Sequence, residues 1–226
     1  TIVDDKFGGD CNLIGTWTDA TNTCTLSTDI SSTERNPSTI ILGADDITLN
    51  GRQHTLSGYD ASGSIGISIT GRSGVTITDI AVSNFNYGVV VGSSNHCSVS
   101  RVTATDNVIG IKLNDSTLST ISNSTAIQNA SGISVLSSEN STLSGNTASQ
   151  NKIGIKLQNS QSVTFTNNSI ENNIDDGSSD SGTGLLIDNS TYNVFELNNF
   201  SNNDNHGAWL QNGSNLNSFI GNTFAN

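Results

Sequence analysis

Few side chains in this sequence have the chemistry of a reactive site, and most of them lie late in the chain. Asp175 and Asp176 adjoin, Asp180 follows in the same stretch, and His206 sits within Asn205-His206-Gly207. A carboxylate pair with a histidine is a set suited to acid–base work. Glycoside cleavage needs two carboxyl groups about 5–10 Å apart. The same three aspartates offer the hard oxygen atoms that Ca²⁺ takes. They lack the regular spacing and closing Glu of a Ca²⁺ loop, so the reading is a solvated acidic loop. Ca²⁺ is the one ion these residues would suit, and nothing in the sequence requires a cofactor.

A second set is suited to binding. Lys112 and Lys156 occupy one repeat position two repeats apart, which places them roughly 10 Å from each other if the repeats stack at strand spacing. Two such cations fit the carboxylates of a uronic-acid polymer. Leu186 and Trp209 follow at the same position and are expected to form an exposed apolar pair, suited to stacking on a sugar ring or to burial against another chain.

Those positions are defined by a repeat. A Gly followed by apolar–any–apolar recurs at Gly66, Gly88, Gly110, Gly132, Gly154, Gly184 and Gly207, at spacings of 22, 22, 22, 22, 30 and 23 residues. The 30-residue step holds an insertion, Ile174–Thr183, and insertions of this kind in solenoids often carry function. Each repeat continues with a second alternating stretch, such as Val75-Thr76-Ile77-Thr78 or Val163-Thr164-Phe165-Thr166. A third, very short one carries Val82, Ala104, Ala126, Ala148, Ile170, Phe200 and Phe224. Period-2 alternation turns the apolar member inward and the hydroxyl outward. The fold class is therefore all-β: a right-handed, single-stranded parallel β-helix with about 22 residues and three short strands per coil.

Composition agrees. The 226 residues include 31 Asn and 61 Ser plus Thr but one Pro, only 12% are charged, and the net charge is −12. A chain this polar has too little apolar material for an ordinary two-layer globule and too little charge for a solvated disordered acid. In a solenoid, stacked amides and hydroxyls bond to their copies one coil away. Asn107, Asn129, Asn151, Asn173 and Asn203 hold one such register, and Asn146, Asn168, Asn198 and Asn222 another. Both are expected to be buried ladders. The acidity excludes a nucleic-acid partner, and no apolar run approaches a membrane span.

The segment 1–38 reads as an N-terminal cap, with a disulfide expected between Cys11 and Cys24 around Trp17; residues 39–226 read as the β-helix. Cys97 sits where other coils place Val75 and Val163, so it is expected to be a buried small hydrophobe. A disulfide, and a chain that opens on Thr1 rather than Met, point to an extracellular or cell-surface protein whose leader has been removed.

The unit Gly-Ile-x-Leu followed by Asn-x-Phe elements, between Gly184 and Phe200 and again between Gly207 and Phe224, resembles the parallel β-helix repeats of the NosD-like and carbohydrate-binding and sugar-hydrolase superfamily. The stretch from Asp45 to Gly58 resembles its opening coil. The resemblance covers roughly residues 39–226 and implies fold more than function. A pectin-hydrolysing member would carry an Asp before the coil Gly, an Asp pair one coil on and a Gly-His-Gly. Here Asn205-His206-Gly207 is similar to the last element, but no Asp precedes a coil Gly and no Arg-x-Lys follows.

Three functions follow as expectations. The first is a structural β-helix of the envelope or matrix, meeting itself head to tail through Leu186, Trp209, Phe219 and Phe224. The second is a polysaccharide-active enzyme or sugar-binding module with an extracellular polysaccharide as partner. The third is ice binding, through the paired hydroxyls Thr76/Thr78, Ser98/Ser100, Thr120/Ser122, Thr142/Ser144 and Thr164/Thr166.

Overall fold

The computed structural model describes residues 2–3, 9–32, 38–59 and 62–225. Every Gly triplet forms one strand of a nine-stranded sheet, running from Ile2–Val3 and Ser38–Leu42 through Ile65–Thr70, Tyr87–Gly92, Ile109–Asn114, Ser131–Leu136, Ile153–Gln158 and Thr183–Asp188 to His206–Gln211. All its pairings are parallel, and each residue faces its equivalent one coil away: Val89 lies between Ile67 and Ile111. The insertion leaves this register intact, because Ile155 still pairs with Leu185 and Leu157 with Ile187. The second and third strands of each coil build two further parallel faces, and in two coils they merge into single strands, Thr76–Ser83 and Ser98–Thr105.

The coil glycine is forced by close approach. A Cβ on Gly110 would stand 2.6 Å from the carbonyl oxygen of Gly132, and one on Gly154 equally close to that of Gly184. No side chain fits where successive coils meet this tightly, so glycine recurs.

The core is a column of inward side chains, one layer per coil. Ile67, Val89, Ile111, Ile133, Ile155 and Leu185 stack on the first face and are fully buried. Opposite them, small Ala104, Ala126 and Ala148 give way to Ile170 and Phe200. The buried side chains of this column are therefore larger in the C-terminal coils. Phe165, Phe195 and Phe219 stack with centroids 4.6 and 4.7 Å apart, and Phe200 stacks on Phe224 at 5.0 Å.

Both asparagine ladders are present. Asn129 donates its backbone N–H and its Nδ2 to Asn151 Oδ1 at 2.9 and 3.0 Å. Asn151 in turn donates Nδ2 to Ala126 O and to Asn173 Oδ1. The second ladder repeats the pattern through Asn146, Asn168, Asn198 and Asn222. A serine ladder that the sequence reading passed over fills a third corner: the backbone N–H groups of Ser94, Ser116 and Ser138 donate to the hydroxyls of Ser116, Ser138 and Ser160. Buried N–H groups that turn away from the strands are thereby paired.

Among the described residues, parallel pairing also reaches into the first 38. Thr23–Leu26 pairs with Thr48–Asn50, Ile30–Ser31 with Thr55–Ser57, and Ile2–Val3 with Ser38–Leu42. The departure from helical order is Gly15–Thr18, which lies antiparallel on Thr23–Leu26. The Cys11–Cys24 disulfide joins that hairpin to the turn before it, with both cysteines buried. Cys97 is free and buried in its expected column.

Candidate functional site

Outward residues of the first sheet form three parallel rows. Along the middle row Ser68, Val90, Lys112, Ser134, Lys156, Leu186 and Trp209 succeed one another coil by coil. Beside it run Tyr87, Ile109, Ser131 and Ile153 on one flank, and Asn114, Leu136 and Gln158 on the other. Side-chain length alternates. The Ser131–Leu136 strand carries small Ser131 and Ser134, while long Ile109, Lys112, Ile153 and Lys156 rise from the coils on either side. The result is a notch of about 310 Å³ floored by the serines and walled by both lysines.

The sheet thus brings Lys112 and Lys156, two coils apart in one outward row, to a single notch. The Lys112 ammonium also stands 5.0 Å from the Tyr87 ring centroid, a cation–π distance. No acidic residue occurs on the four strands from Tyr87–Gly92 to Ile153–Gln158. Neither lysine makes an ion pair among the described residues, whereas Lys152 pairs with Asp176 and Arg101 with Asp79.

Leu186 corrects the expectation of an exposed apolar pair. It is 0% exposed, held in register between Lys156 and Trp209. The long side chains one coil away on either side cover it. Position in an outward row does not guarantee exposure when both neighbours are longer. Trp209 is half-buried, with its ring 5.0 Å from that of His206. In the same coil Phe219 is half-buried and Phe224 is 53% exposed.

The acidic insertion spends its carboxylates on its own backbone. Asp175 accepts from the Gly177 N–H and the Ser181 hydroxyl, and the Ser181 hydroxyl, Gly177 N–H and Asn205 amide hold its pKa below the usual carboxylate range. Asp176 accepts from the Ser178 N–H and hydroxyl and from Lys152 at 2.6 Å, and the Lys152 ammonium is the largest cause of its strong downward shift. Asp180 accepts from Ser179. Asn205 bridges the next coil to this loop through Ser181 O, while the His206 ring lies against Trp209. Among the described residues, no group of three or more His, Cys, Asp or Glu side chains converges as a metal site. Lys152, which organises the loop, went unread in the sequence; its place one residue before Ile153, at the coil corner facing the insertion, was the available signal.

Fold and site together define a solenoid that presents one long, cation-bearing sheet face. The model of the right handed beta helix region matches residues 30–168 and again 87–226, and the chain belongs to that family. The periplasmic alginate epimerase AlgG superposes with a TM-score of 0.68 at 16% identity, over 83% of this chain and 47% of that one. DFA-IIIase from Arthrobacter chlorophenolicus A6, without its lid, gives 0.67 at 13% identity over 89% and 56%. Tailspike protein 2 from Escherichia coli O157:H7 bacteriophage CAB120 gives 0.63 at 13% identity over 90% and 37%. At these identities the likeness is one of fold. The chain spans about half the length of the two enzymes and less of the tailspike. No curated protein matches the sequence.

Proposed function

We propose that this chain is a polysaccharide-binding β-helix of the extracytoplasmic space, and that an acidic polymer lies along its first sheet. The observation that carries this reading is the Lys112–Lys156 pair. In a chain of net charge −12, two lysines without an ion pair among the described residues converge on one notch whose own strands carry no carboxylate, Asp188 standing one coil beyond and accepting from Gln158. The two cations lie two coils apart, roughly 10 Å by strand spacing, on the side a polyuronate would present its carboxylates to, with Tyr87 on the same face and Trp209 two coils beyond Lys156 to pack against sugar rings. The buried disulfide fits an oxidising compartment, and the likeness to a periplasmic alginate epimerase supports both the setting and the partner class.

Binding is favoured over cleavage by the state of the acidic residues. Asp175 is engaged by Ser181 and Gly177 and Asp176 by Lys152 and Ser178, and these contacts favour the carboxylate over the proton-donating acid. Calorimetric titration with oligouronates tests the reading. Exposed lysine–carboxylate contacts contribute about 0.5–1 kcal/mol each, so Lys112→Ala with Lys156→Ala should weaken binding roughly 5- to 30-fold. Unchanged affinity in the double variant would refute it.

A second reading is a structural β-helix, for which the apolar edge of Leu210, Phe219 and Phe224 is the relevant observation. That edge accepts another coil. A coil from a second copy builds a head-to-tail filament; one from the same polypeptide lengthens the helix. Light scattering at high concentration separates them, since only the first gives growth with concentration.

A further inference from the structure

The second face of the helix carries a different surface, on strands the acidic polymer does not touch. Its first outward row runs Thr23, Thr48, Thr76, Ser98, Thr120, Thr142 and Thr164, each in direct register with the next. Six of these seven positions are threonine, and the row begins two coils earlier than the repeat pattern alone suggests. All seven are partly exposed. A second row of hydroxyls and one amide lies two residues along each strand, from Thr25 and Asn50 to Ser144 and Thr166.

From these observations we infer that this face binds ice, by holding a two-dimensional lattice of ordered water. Spacing along the helix axis is set by the backbone ladder at about 4.8 Å and across the strand at about 6.7 Å, so the array extends about 29 Å over seven coils. The positions are stiff: each strand is hydrogen-bonded on both sides, and the β-branched Thr side chain has few rotamers. Threonine offers water both a hydroxyl to bond and a methyl to enclose. Serine, which lacks the methyl, falls mostly in the second row. There Ser100 and Arg101 already donate to the Thr78 hydroxyl, so the first row is the more regular.

The chemistry of the rows argues against a charged occupant. Neither row contains a charge or an aromatic ring, so it has nothing to pair with an anion or to stack on a sugar. The array stops where the sequence changes, at Val194 and Glu196 in the following coil. A periodic hydroxyl row free of charged residues matches a solid whose own groups repeat at fixed spacing.

Thermal hysteresis and crystal shape in a nanolitre osmometer test this on the full chain, beside Thr120→Lys, Thr142→Lys and, on the third face, Thr147→Lys. Melting curves check that each variant folds. The expected result is faceted ice and a measurable hysteresis gap, lost in T120K and T142K and retained in T147K. Unfaceted growth with no gap in the parent chain would overturn the inference, as would equal activity in all four proteins. Retention on crystalline chitin that T142K abolishes, without any effect on ice, would also overturn it and reassign the face to a neutral polysaccharide.

Discussion

Replacing Asn151 by Ala removes one rung from the five-asparagine ladder, and the structure fixes what is lost. Asn151 is fully buried. Its Oδ1 accepts the Asn129 backbone N–H at 2.9 Å and Asn129 Nδ2 at 3.0 Å, and its Nδ2 donates to Ala126 O at 3.0 Å. Asn129 Nδ2 keeps two other partners, Ala104 O and Ile127 O, and Asn173 Oδ1 keeps the backbone N–H of residue 151. The losses are therefore the bond to the Asn129 N–H, an orphaned buried donor costing about 1–3 kcal/mol, and the Nδ2 bond to Ala126 O. The small void beside Gly132, where the amide now sits, adds to that. A total of roughly 2–4 kcal/mol corresponds to a fall of about 4–16 °C in Tm for a chain of this size. The assay is thermal and urea unfolding followed by circular dichroism, with Asn123→Gly as control. Asn123 is an exposed corner residue at φ 49°, where glycine fits without strain. Equal midpoints for N151A and the parent would refute the claim that the amides hold the coils together.

Other outcomes follow from the same contacts. Reducing the Cys11–Cys24 bond, which closes a 13-residue separation, should cost about 3 kcal/mol; non-reduced mass mapping should find Cys97 alone as a free thiol, and free thiols at Cys11 and Cys24 would contradict the pairing. Asp79, held below the usual range by the Arg101 guanidinium, and Asp175 and Asp176, held down by Ser181 and Lys152, have folded pKa values below their unfolded ones. Their stabilisation is complete above the unfolded value of about 3.9 and is lost as pH falls through the folded values. The midpoint should therefore stay level from pH 7 to 5 and drop below about pH 4; a steady decline beginning near neutrality would point to other groups. The isolated chain should release no reducing ends or unsaturated uronates from pectin, alginate or chondroitin-like polymers, and product above a blank that disappears in Asp175→Ala or His206→Ala would place a catalytic site at the insertion.

The fold was legible because its causes repeat. Glycine every 22 residues marks a steric contact between coils, asparagine marks a buried N–H at a corner, and alternation marks the wall. A single accident in one coil does not hide a signal carried by six others. The serine ladder was harder to see, since the same residue also fills exposed corners such as Ser93 and Ser137, and composition cannot separate the two. Single-copy features were legible only in part. Lys112 and Lys156 inherited their positions from the repeat and share one outward row. Leu186 inherited its row too, but its exposure depends on the length of its neighbours, which periodicity does not encode. The insertion lies outside the repeat altogether, so its Asp175–Ser181 and Asp176–Lys152 contacts had no template from which to be read.

Affinity electrophoresis through gels carrying a polyuronate, or the same polymer with its carboxyl groups reduced to alcohols, tests the central claim most directly. If Lys112 and Lys156 read carboxylates along the first sheet, the native gel should retard the chain, and added salt should relieve that retardation. The reduced polymer should let the chain pass freely. Equal migration in both gels would contradict recognition of an acidic polysaccharide by this face.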